Sequence, residues 1–141
     1  NHQLIYLGMQ DQFHTFNMFD CQAWYARDVI MGKIKLPSDA EIEADIKKWV
    51  AEEESLEDPI QMIDFQTEYT KELHAASDYP AIDFELMRKH FKDWEHHKEE
   101  DILTYRNRSF SSPVTGTVAP IHHTPWAEAM DDSMDTFMKS K

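Results

Sequence analysis

Glycine is scarce in this 141-residue chain: Gly8, Gly32 and Gly116 stand alone. A loop that cradles phosphates needs clustered glycines so that backbone can approach the ligand, so the chain encodes neither a P-loop nor a dinucleotide fingerprint. Cysteine is scarcer still. A single residue, Cys21, excludes an internal disulfide and fits a reducing compartment. It reads as a small packing residue inside a helix, with a reactive nucleophile as the second reading. No apolar run approaches the length that crosses a bilayer. The first residues carry neither a basic region nor a small-residue cleavage site, so no secretory signal is read there. Positive charge is also in deficit, with 14 Lys and Arg against 27 Asp and Glu and a formal net charge of −13. That balance argues against nucleic acid and anionic membranes as partners, and the acidic excess reads as a solvated surface. No Gly-x-Ser-x-Gly occurs, and Cys21 has no histidine at a suggestive spacing, so nothing supports a hydrolase.

What is present suits one domain's length of globular chain, with 41% hydrophobic residues. Leu4 to Leu7 form a short apolar run ending at Gly8, the pattern of a strand buried on both faces of a parallel sheet. Ile102–Tyr105 and Val114–Val118 are weaker strand candidates, so the first strand wants neighbours that the chain does not supply. Together with the missing initiator Met in "NHQLIYLG", this leads us to expect a processed chain or a fragment. Thr15 is expected to cap a first helix whose apolar positions are Phe16, Phe19, Ala23, Ala26 and Ile30, stopped at Gly32. "LPSDAEIEADIKKWVAEEE" carries a capping box, Ser38 with Glu41, and an apolar stripe of Ile42, Ile46, Trp49 and Val50. Pro59 separates it from a third helix near residues 65–76. Asp83 caps a fourth, with Phe84, Met87, Phe91 and Trp94 in register. "RNRSFSSPVTGTVAPIHH" is a long connection of the kind usually functional or pinned by a partner. Thr124-Pro125 opens a last helix.

The opening turn is the strongest candidate site. Ligands of open α/β sheets bind beyond the carboxyl ends of strands, and Gln10, Asp11, Gln12 and Thr15 offer donors and acceptors at such a place. On local pattern alone, capping of the helix is an equal reading. Eight histidines tempt a metal reading, but His96-His97 and His122-His123 are adjacent pairs that diverge by about 100° on a helix. His96 with Glu100 could hold one edge of an ion, yet closed sites need three or four convergent ligands, so no metal site is expected. Of the four tryptophans, Trp94 sits in the polar "KDWEHHKEED" and is a candidate for a pocket wall, with packing as the alternative.

These segments resemble, in order and over nearly the whole chain, the C-terminal third of bacterial flavin-containing monooxygenases, most closely the trimethylamine monooxygenases. "LIYLGMQDQFHTFNMFDCQAWYARDVIMGKIKLPS" resembles the family's last flavin-domain strand, turn and helix. "DFQTEYTKEL" resembles a helical motif shared with the animal enzymes. "KDWEHHKEEDILTYRNRSFSSPVTGTVAPIHHTPW" is similar to the bacterial tail. The resemblance implies an α/β parent with two Rossmann-like dinucleotide-binding domains. This chain would be its C-terminal fragment, mostly α-helical with one buried strand at the start. Residues 1–32 would complete the FAD-binding domain, and residues 33–141 would be a helical extension packed on the dinucleotide-binding domains. It further implies that NADPH reduces FAD, that the flavin captures O2 as a C4a-hydroperoxide, that NADP+ is retained, and that a small tertiary amine, trimethylamine, leaves as its N-oxide. Gln12 and Thr15 match residues that hydrogen-bond the isoalloxazine edge, with Gln10 flanking them. Asp11 matches an acidic residue beside the flavin, and Trp94 a tryptophan of the pocket near the nicotinamide. The implied setting is a cytoplasmic homodimer in which the upstream part of the polypeptide grips the phosphates, so the isolated chain would be inactive. Phe13-His14 departs from the two aromatic residues usual there, and Cys21 from a usual alanine. The reading from a different class is a stand-alone acidic helical module that works by protein interaction.

Overall fold

A computed structural model describes residues 4–8 and 13–118 of the chain. Four helices carry it: α1 (Thr15–Ile30), α2 (Asp39–Glu54), α3 (Pro59–Ala75) and α4 (Phe84–Glu100). α3 is the central element, packed against α4 and α1 and more lightly against α2. Among the described residues the buried apolar ones are few: Met18, Cys21 and Ala26 from α1, Ile63 from α3, Met87 from α4, and Ile82 and Tyr105 from the connections. Leu73, Tyr79, Phe84 and Phe91 close around the cluster of Cys21, Ile82 and Met87.

The helix starts follow from local chemistry. The Ser38 hydroxyl accepts from the Glu41 amide, and the Glu41 carboxylate accepts from the Ser38 amide at 2.8 Å, the reciprocal box expected. That hydrogen bonding holds the Glu41 carboxyl below its ordinary pKa. Asp83 accepts from the Leu86 amide at 2.9 Å and opens α4 as expected. Pro59 does not merely precede α3. It is the first helical residue, where its missing N–H costs nothing, and Asp58 caps by accepting from the Gln61 amide at 2.8 Å. The Thr67 and Thr70 hydroxyls are fully buried on α3 and donate to the carbonyls of Ile63 and Gln66, each at 2.7 Å. Back-bonding of this kind lets two hydroxyls face a core. Lys92 with Asp64, Arg88 with Glu68 and Lys71 with Glu85 tie α4 to α3 across their solvent edge.

Four expectations are corrected. Leu4–Leu7 is not a buried strand: the four residues are 44–68% exposed, and no strand occurs among the described residues. A strand exists only through its neighbours, and the described chain offers none. Ile102–Tyr105 is a run of turns, and of Val114–Val118 only Val118 pairs, in an isolated bridge with Ser111. The inner face of α1 is also rotated from the expected stripe. Met18, Cys21, Gln22 and Ala26 are buried, whereas Phe16 is 80% and Ile30 75% exposed. Of the expected α2 stripe, Trp49 alone packs firmly, edge-on to Phe65 and Tyr69, and α2 has no buried residue.

The connection after α4 folds back on this chain. Ser112 donates its amide to the Thr117 carbonyl at 2.8 Å, and Asp83 donates its amide to the Pro113 carbonyl at 2.7 Å. His90 of α4 reaches the Ser111 carbonyl at 3.0 Å. The helix expected from Thr124-Pro125 lies outside the described residues.

Candidate functional site

The turn expected to meet a ligand, Met9 to Gln12, lies outside the described residues, and with it Gln10, Asp11 and Gln12. The structure defines how the chain is held on either side of it. Before the turn, the Gly8 amide donates to Gln22 Oε1 at 2.8 Å, and Gln22 Nε2 donates to the Tyr69 hydroxyl at 3.1 Å. After it, the amides of Phe13 and His14 both donate to Gln66 Oε1, at 2.8 and 3.3 Å. Gln22 and Gln66 are 6% and 2% exposed. A buried carboxamide must be engaged, and these two engage main-chain donors of the same short segment from two different helices. Gly8 is itself required there. Its φ is +70°, and a Cβ would stand 2.7 Å from Phe19 Cε1.

Thr15 is the first residue of α1 rather than its cap. The cap position falls to His14, whose side chain makes no capping hydrogen bond, and no acidic residue lies in the first turn. The Thr15 hydroxyl donates to the Phe13 carbonyl at a long 3.4 Å. The other three helices have Ser38, Asp58 and Asp83 as side-chain caps. α1 therefore keeps the positive end of its dipole without a neutralising side chain among the described residues.

The His14 imidazole is 1% exposed and lies against Phe91, with ring centroids 4.6 Å apart and a 42° tilt. Among the described residues neither ring nitrogen has a hydrogen-bond partner. Burial, helped by the positive charge of Arg88, lowers its pKa from 6.5 to about 4, so the ring is neutral near pH 7.

Phe91 shares its other surroundings with a pocket of ≈ 270 Å³ between α4, the start of α1 and the 110–113 connection. Its walls include Asn17, His90, Phe91, Trp94, Phe110 and Pro113. This is below the ~300–1,000 Å³ of sites that enclose drug-sized ligands, so the cavity suits a small molecule rather than a dinucleotide. Trp94 is held in the wall edge-on to the buried Tyr105, at 5.2 Å between centroids, and Lys98 Nζ lies 5.3 Å from its ring. The structure thus brings Trp94 into a pocket that borders the first turn of α1, two residues beyond Thr15.

The histidine pairs do not gather into a metal centre among the described residues. His96 and His97 both face Glu100, at 3.3 and 3.2 Å, but no third ligand joins them. His122 and His123 lie outside the described residues. No clustered glycines accompany the site, so its donors could meet the edge of a flat heterocycle but could not cradle a pyrophosphate.

Sequence reading missed Gln22, Gln66, Tyr69 and His14. One signal was available for Gln22, a polar residue spaced four from Met18 and Ala26 on the inner face of α1. Nothing local pointed to Gln66, whose partner amides lie 52 and 53 residues away.

No family model matches the chain. It is 79% identical over all 141 residues to a trimethylamine monooxygenase of Pelagibacter sp. (strain HTCC7211), covering 32% of that protein. Identity is 78% over 138 residues to the trimethylamine monooxygenase of Pelagibacter ubique (strain HTCC1002), 98% of this chain and 31% of that one. It is 56% over 137 residues to that of Methylocella silvestris, 97% of this chain and 30% of that one. The crystal structure of Tmm from Pelagibacter sp. strain HTCC7211 matches with a TM-score of 0.85 and 81% identity, over 97% of this chain and 31% of that one. The chain spans about a third of the length of the curated relatives it matches.

Proposed function

The chain belongs to the trimethylamine monooxygenase family as its C-terminal portion, and from that premise we propose that it completes the flavin and amine cavity of a longer enzyme. That enzyme N-oxygenates trimethylamine, or a similar small tertiary amine, with O2. FAD, reduced by NADPH, supplies the oxygen-activating chemistry when bound. The observation that carries the reading is identity of up to 79% along the entire chain to enzymes of that name.

The residues present fit such a group at its ring end. The isoalloxazine edge is rich in acceptors, and among the described residues α1 begins without a side-chain cap and with a Thr15 hydroxyl engaged at 3.4 Å. Gln12 and Thr15 hold that edge, and Gln10 flanks them. Asp11, beside the ring, orders a water and controls access to it. Trp94 confines the amine, its face suiting a small alkylammonium by cation–π attraction and its apolar body excluding water. The phosphates and the nicotinamide dinucleotide are held by the upstream part of the polypeptide. Residues 1–32 then close the FAD-binding domain, residues 33–141 pack on both dinucleotide-binding domains, and the whole acts as a cytoplasmic homodimer. Among the described residues no helix is long and apolar enough to cross a membrane.

The test uses the full-length enzyme. Asp11→Ala is expected to keep its FAD while N-oxide formed per NADPH consumed falls by about tenfold, the scale of a positioning loss. Unchanged N-oxide turnover removes Asp11 from the site. Absence of FAD from the wild-type enzyme, or NADPH oxidation indifferent to amine, removes the reading itself.

A further inference from the structure

We propose that Gln66, working with Gln22, is a positioning residue that fixes the backbone of Gly8, Phe13 and His14, and with it the Thr15 end of α1, against the flavin edge, an inference that rests on the function proposed above. Three main-chain donors flank the turn: the amides of Gly8, Phe13 and His14. All three are taken by side-chain carbonyls of these two glutamines. The glutamines come from different helices but are one device, because Gln22 Nε2 donates to the hydroxyl of Tyr69, three residues beyond Gln66 on α3. Both carboxamides are at least nine-tenths buried, where an apolar side chain of the same volume would pack without a desolvation cost. The other buried polar groups nearby, the Thr67 and Thr70 hydroxyls, bond within their own helix and reach nothing else. The glutamines reach out of the helices, and among the described residues the amides that donate to their side chains are those of Gly8, Phe13 and His14.

The clamp also links the start of α1 to the amine pocket. Gln66 fixes the backbone of His14, the His14 ring rests on Phe91 at 4.6 Å, and Phe91 is a wall of the cavity that holds Trp94. A Phe13–His14 backbone released from Gln66 shifts both the Thr15 end of α1 and the amine wall. This gives the "DFQTEYTKEL" segment a physical role: Gln66 and Tyr69 are its working side chains, and its two threonines let α3 pack closely enough for them to reach.

Hydrogen exchange and coupling, measured together in the full-length FAD-loaded enzyme, test the proposal. Gln66→Leu removes the acceptor, and Gln66→Glu keeps it. In Gln66→Leu the amides of Phe13 and His14 are expected to exchange about tenfold faster or more, as for buried donors left unpaired. The α3 amides stay protected, FAD stays bound, and N-oxide per NADPH falls several-fold. Gln66→Glu is expected to restore protection and most of the coupling. Unchanged exchange at Phe13 and His14, or lost protection with wild-type coupling, overturns the proposal. Should Gln66→Leu lose the α3 protection as well, Gln22→Leu decides, with faster exchange at Gly8 and lowered coupling expected and wild-type values for both overturning it. These failures all occur in an enzyme that still binds FAD and consumes NADPH on amine, which separates them from failure of the flavin reading.

Discussion

His14 is a titratable group that the fold holds in its neutral form. Its pKa of about 4 lies below the 6.5 of a free imidazole because burial, and then the charge of Arg88, penalise protonation. Between those values the unfolded chain binds a proton that the folded chain does not, so stability falls as pH drops from about 6.5 toward 4. A full shift of that size is worth about 3 kcal/mol. Urea unfolding of the full-length enzyme is expected to show this loss, and His14→Phe to flatten it across the same window. An unchanged pH profile in the variant would place the effect elsewhere. Trp94 makes the complementary case at the amine pocket. Trp94→Ala is expected to raise the apparent amine constant by about tenfold, or to uncouple NADPH oxidation, because a ring face and its excluded water are lost together. Wild-type steady-state kinetics would return Trp94 to a packing role against Tyr105. At this scale the sequence was partly readable. A large ring among charges stood out, but the Gln66 acceptors did not, since their partners are brought in from more than fifty residues away.

The helices were legible where their determinants are local. The Ser38–Glu41 box and the Asp83 cap lie within four residues, and both form as read. Local reading failed where an element depends on what lies beside it. Leu4–Leu7 has the composition of a strand and, among the described residues, no strand to pair with. The α1 stripe was placed by spacing alone, but α3 selects the face that carries Met18, Cys21, Gln22 and Ala26. Pro59 looked like a separator, although a proline is as much at home in a helix's first position. α2 is the element most dependent on its own cap, because it buries no residue and is held chiefly by Trp49 on Phe65 and Tyr69. Ser38→Ala is expected to cost about 1 kcal/mol. Hydrogen exchange should locate that cost in α2 amides as local fraying, with α3 and α4 unmoved. A loss spread evenly over all helices would mean that α2 folds only with the rest.

Over the whole molecule, the apolar surface is divided between a small shared core and a large outward remainder. Phe16 and Ile30 on the far side of α1, the Leu4–Leu7 segment, and Leu103 at 88% exposure are unlike the scattered single hydrophobes of an ordinary surface. The curated relatives are about three times as long as this chain, and an upstream part of the kind proposed above would cover these residues. The alternative, a self-contained acidic helical module, would leave these side chains in water. The two readings differ in what lies against one face of α1, and so does the claim that its first turn meets a flavin. The most direct measurement is therefore the structure of the full-length enzyme with FAD bound. We expect Phe16, Ile30 and Leu4–Leu7 to be covered by upstream polypeptide, and the Thr15 end of α1 to lie within hydrogen-bonding reach of the isoalloxazine edge. A flavin contacted only by other parts of the polypeptide, with that face of α1 open to solvent, would contradict it.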